Sequence, residues 1–154
     1  MGVVVGGFSA KAFYPDEWMM LLPHGTLERV RQDPAGDFGV RWWGVTDPLM
    51  RLIAGVDPGI TQWLIEQGID KANAEGVYLE LIKRFRWNIL FNGMPVQDAI
   101  DLAVFLANVA IGHSRFVVGP PVCGGQVDVA TITHNGYSFV REKKSTVKGD
   151  SIFF

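Results

Sequence analysis

At 154 residues, with 48% hydrophobic and 19% charged side chains, the chain has the composition of a folded globular domain and not of a disordered segment. Its formal net charge of −2 gives no electrostatic reason to bind nucleic acid or an anionic membrane. Cys123 is the single cysteine, which excludes an intrachain disulfide and makes a reducing compartment the default. No uninterrupted apolar run approaches the roughly 18 residues of a membrane helix. Val3-Val4-Val5 is too short for a signal-peptide core. Met1-Gly2 is no myristoylation signal, because position 6 is glycine where Ser or Thr is required. The expected location is cytoplasmic. Residues 1–141 are expected to form a single domain and residues 142–154 a polar tail.

Gly2 to Gly7 is a short apolar strand, followed by a loop from Phe8 to Asp16. Trp18 to Leu22 and Thr26 to Arg31 read as strands around a Pro23-His24-Gly25 turn. Asp33-Pro34-Ala35-Gly36 is a turn, and Phe38 to Trp43 is expected as a further strand. The first third is therefore a β-meander. Helices follow. Asp47-Pro48 starts one that Gly55 stops, and Asp57-Pro58 starts another that ends near Gly68. Tyr78, Leu81, Ile82, Phe85 and Ile89 share one face of a third helix, expected to run to Gly93.

The rest of the chain is arranged around Pro95 to Arg141. Pro95 suits a first helical turn, and Asp98 and Asp101 lie near its positive dipole end. Val96, Ala99, Ile100, Ala103, Ala107 and Ala110 fall on one face. Val104, Phe105, Leu106 and Val109 make the other side apolar as well. Only Gln97, Asp101 and Asn108 leave a polar stripe, so cover is expected on more than one side. An antiparallel pair with the preceding helix is the simplest arrangement. After a glycine-proline crossing, Val127 to Thr133 alternates as a strand. Asn135-Gly136 has the residue types of a type I′ turn, and Tyr137 to Arg141 returns. Strands first, helices next and a hairpin last make the fold class α+β with segregated layers.

The segments DAIDLAVFLANVAIGHSRF and GPPVCGGQVDVATITHNGYSFV resemble the C-terminal portion of proteasome-like N-terminal-nucleophile hydrolases. In that family a helix leads across a loop to a Gly-Gly pair, then a strand, a short turn ending in Gly and a last strand. Gly124, Gly125, Asn135 and Gly136 match those turn positions. The resemblance implies part of a four-layer αββα sandwich, antiparallel sheets inside and helices outside. It also implies amide-bond chemistry by an N-terminal Thr, Ser or Cys whose α-amine is the base. This chain begins Met-Gly and shows no counterpart of the strands that carry the nucleophile. The expectation is a domain without the nucleophile half, non-catalytic alone, acting as a structural or oligomerising subunit. Two alternatives stand beside it: an amide-bond hydrolase if the missing half is supplied, and an autonomous α+β interaction module. The family pattern Arg-Asp-x-x-Ser-Gly-Gly is also altered, with Pro120 in place of Asp and Cys123 in place of Ser.

Cys123 and Thr46 are the weak catalytic candidates. A lone cysteine before Gly-Gly is more often a small buried side chain than a nucleophile, and Thr46 reads better as a helix cap beside Asp47. His24, His113 and His134 are too scattered for a metal site. Lys83, Arg84 and Arg86, interleaved with Phe85 and Trp87, read as a solvated helix face with a Glu80–Arg84 pair, not as a nucleic-acid surface. Asp16 with Glu17, and Asp98 with Asp101, read as loop and helix-start acids. No cofactor and no metal is expected. The expected partners are copies of the chain or other subunits of the same family, with no nucleic acid and no membrane.

Overall fold

The structure is a computed structural model and describes residues 2–30, 39–89 and 93–140. The expected turn at Asp33 to Gly36 and the tail from 142 onward lie outside the described residues. The chain is mixed α+β with small antiparallel sheets. Its residues group into two compact units, one from 1–37 and 128–154, the other from 38–127.

The first unit is all β. Strands β1 (Gly2–Gly7), β2 (Asp16–Leu21) and β3 (Thr26–Arg29) form an antiparallel meander in the order β1-β2-β3. The register pairs Val3 with Met20, Val4 with Met19 and Val5 with Trp18. β2 starts two residues earlier than its apolar pattern indicates, because Asp16 and Glu17 continue the ladder opposite Gly7 and Gly6. The β2–β3 turn closes with the Gly25 N–H donating to Leu21 O at 2.8 Å, and Gly25 adopts a φ of 67°. Arg29 lies diagonally across from Asp16, and its Nε donates to the Asp16 carboxylate at 3.0 Å.

Strands β4 (Val129–Thr133) and β5 (Gly136–Val140) form the expected hairpin. Its turn is one residue out of the expected place. Thr133 pairs with Gly136, so His134 and Asn135 are the central residues, and neither has a positive φ. A type I′ turn is therefore absent, and the left-handed conformation passes to Gly136, at φ 113°. The His134 ring packs against Phe8 and Phe13, with ring centroids 4.2 and 5.6 Å apart, which joins the loop after β1 to the hairpin turn.

The second unit is helical. Residues 39–43 form no strand, contrary to the alternation from Phe38 to Trp43. Helix α1 (Asp47–Ala54) has Pro48 in its first turn and ends at Gly55 with φ 70°. Helices α2 (Ile60–Glu66), α3 (Lys71–Phe85) and α4 (Val96–Phe116) follow. α3 stops at Phe85, earlier than expected, because Arg86 turns to an extended conformation and the Trp87 N–H donates to Ile53 O of α1 at 2.8 Å. α3 packs on α2 and α4 packs on α1, so the expected α3–α4 antiparallel pair is not formed. The buried hydrophobic residues are Leu49, Ala54, Val56, Ala74 and Leu106, all in this unit.

α4 is 21 residues long, with Leu106 and Ser114 its buried residues. The two-sided cover inferred from its composition is not supplied by the described residues. By length and mean hydropathy (1.2) it also qualifies to cross a membrane. Interspersed Gln97, Asp101 and Asn108 hide this from a search for an uninterrupted apolar run.

Two positions are tightly determined. A Cβ at Gly55 would lie 2.5 Å from Phe85 O, and φ there is left-handed. Gly55→Ala is expected to destabilise the helical unit by at least ~1–2 kcal/mol in denaturant unfolding. Asp70 caps α3 by accepting the Asn73 N–H at 3.1 Å, and this bond holds its carboxyl below the ordinary value. A depressed carboxyl contributes stability above its unfolded pKa and loses it as pH falls through the lower folded pKa. Helix α3 should therefore fray below about pH 4. In Asp70→Asn, which retains a capping oxygen, circular dichroism should show that acid dependence reduced.

Candidate functional site

A cleft of about 520 Å³ lies beside α4. One wall is the irregular segment Val40 to Val45, including Trp42 and Trp43. The floor is the small-residue face of α4, Ala103, Leu106, Ala107 and Ala110. The third side is the crossing after α4, Val122 to Gly124 with Gln126 and Val127. Alanines at helical spacing keep this floor low, so the cleft follows from the same stripe that marks α4 in the sequence.

Ser114 holds the crossing in place. It continues the stripe of Ala103, Ala107 and Ala110 one turn further and is 4% exposed. Its Oγ accepts the N–H groups of Val122 at 2.8 Å and Cys123 at 3.1 Å. The Cys123 thiol donates to Ala110 O at 3.4 Å. The chain leaving the helix is thus tied back to its last turns by three hydrogen bonds. Sequence reasoning overlooked Ser114, although its place at the end of the small-residue stripe was the available signal.

Cys123 and Gly124 line the cleft, and Gly125 beside them has φ 97°. Thr46 is exposed and does not line it. Thr46 occupies the N-cap position of α1, but its side chain makes no capping bond and donates instead to Asp47 Oδ1 at 3.4 Å. The structure therefore does not bring the two candidates together at one site. Asn135 and Gly136 lie in the hairpin of the other unit.

Among the described residues no histidine and no carboxylate lines the cleft beside Cys123. His24 is in the β2–β3 turn, His113 is exposed on α4, and His134 stacks on Phe8. Among the described residues no three of His, Cys, Asp and Glu gather to hold a metal. On α3, Lys83 and not Arg84 pairs with Glu80, at 2.6 Å, while the Arg84 guanidinium stands 6.0 Å from the Phe85 ring centre. The cleft is chemically an apolar recess edged by Arg41 and Gln126.

Ser114→Ala should leave two partly buried N–H groups without acceptors and cost about 1–3 kcal/mol in denaturant unfolding. Comparison with protein-family models, with curated proteins and with solved structures finds no match to this chain.

Proposed function

We propose that the chain is a structural, self-associating subunit without hydrolytic activity of its own, built as part of the four-layer αββα architecture of the proteasome-like family it resembles. The observation that carries this reading is α4. Leu106 is its one buried apolar side chain, and Val96, Phe105 and Phe116 are 59%, 45% and 83% exposed. The β unit repeats the pattern: Val5 is 60% exposed, Leu27 57% and Tyr137 65%. Apolar surface on this scale is driven together in water and marks contact surfaces.

The non-catalytic part is supported by the site chemistry. Among the described residues that line the cleft with Cys123 there is no histidine or carboxylate, and Thr46 is not one of them. The order helix, crossing, Gly124-Gly125 and hairpin supports the architectural part. An amide-bond hydrolase completed by a further segment, and an autonomous interaction module, are the alternatives.

Light scattering of the purified chain across a concentration series is the test. Species heavier than the 17.0 kDa protomer are expected, growing with concentration. A monodisperse monomer at high concentration would overturn self-association. Peptide or amide hydrolysis that disappears in Cys123→Ala would overturn the non-catalytic part.

A further inference from the structure

We propose that two copies of the chain join antiparallel through the outer edge of β1, on a two-fold axis at Val4, continuing the meander into a six-stranded sheet. The inference rests on the self-association reading and names the surface that carries it. β1 is hydrogen-bonded to β2 on one side, and among the described residues no strand pairs with its other side. β4 approaches β1 without pairing with it. An open edge presents unpaired N–H and C=O groups, a template for another strand.

The edge of β1 lacks the usual protection. Its residues are Gly-Val-Val-Val-Gly-Gly, with no charge and no proline, and Val3, Val4 and Val5 are 38%, 39% and 60% exposed. The opposite edge of the same sheet, β3, carries Glu28 and Arg29, charges of the kind that discourage strand addition.

The occupant is a second copy because the strand is its own complement. Gly2 to Gly6 reads identically in both directions about Val4. Antiparallel pairing on that axis sets Gly2 opposite Gly6, Val3 opposite Val5, and Val4 opposite itself. Outward-pointing residues alternate along a strand and must meet outward-pointing residues of the partner. A two-fold at Val4 satisfies this, since it maps positions 2, 4 and 6 onto one another and 3 onto 5. The interface is isologous and closes as a dimer, with β-branched pairs across the seam. Neither β4, Val-Ala-Thr-Ile-Thr, nor β5, Gly-Tyr-Ser-Phe-Val, has this symmetry.

The test is charge exchange. Val5→Lys should weaken the dimer about tenfold or more, because the lysine faces Val3 of the other copy at two symmetric places. Val3→Glu combined with Val5→Lys should restore association, since the register sets the new charges opposite each other. Mild oxidation of Val4→Cys in a Cys123→Ser background should trap a covalent dimer, as directly opposed Cα atoms of an antiparallel pair are about 4.5–5.5 Å apart, within the span of a disulfide. Circular dichroism checks that Val5→Lys is folded, and where it is not, the trapping experiment decides. An unchanged oligomer mass in folded Val5→Lys, or failure of the double variant to regain it, would overturn this interface and leave association to another surface. No trapped dimer from a self-associating sample would overturn it equally. A wild-type monomer in light scattering would remove both this proposal and the reading beneath it.

Discussion

Apolar burial is the dominant favourable contribution to folding, and in this chain it is concentrated in a few places. Among the described residues, Leu49 and Ala54 of α1, Val56 just after it, Ala74 on α3 and Leu106 on α4 are the buried hydrophobic residues. Aromatic and branched side chains remain exposed on both units, from Val5 and Leu27 to Trp63 and Phe116. Contacts with a further copy or chain are the direct way to cover that surface, and the functional reading grows from this imbalance.

Within the helical unit, backbone contacts do what a large core does elsewhere. Gly55 lets α1 end close against the carbonyl of Phe85, and Trp87 donates back to Ile53. Ser114 draws the crossing at Val122 and Cys123 onto the last turns of α4. These bonds shape the cleft. Its lining is largely apolar, with alanine, leucine and tryptophan beside the Cys123 thiol.

The β unit is held differently. Its strands pair in regular ladders, and the Asp16–Arg29 ion pair and the Phe8–His134 contact tie its loops and edges. At 38% and 28% side-chain exposure that ion pair is solvent-screened and contributes little to stability. Among the described residues no strand pairs with the outer side of β1, and that edge is the more consequential feature of this unit, because an open edge is a template for another strand.

Local chemistry in the sequence determined much of this protein. Val3-Val4-Val5 favours a strand, Pro48 and Gly55 bracket α1, the alanine stripe marks α4, and alternation from Val129 to Thr133 marks the hairpin. Each depends on residues within a turn or a strand of one another. Tertiary structure decided what depends on distant residues. Residues 39–43 alternate like a strand but join no sheet among the described residues, and Val40 to Trp43 line a cleft instead. α3 ends at Phe85 because α1 takes up the Trp87 N–H, and α4 packs on α1 and not on its sequence neighbour. The hairpin turn moved one residue because the Thr133–Gly136 register, set along the whole ladder, overrides the preference of Asn135-Gly136. Cys123 and Thr46 stand out by their positions beside the Gly-Gly pair and at the start of a helix, and only the path of the chain puts Cys123 in the cleft lining and leaves Thr46 out of it.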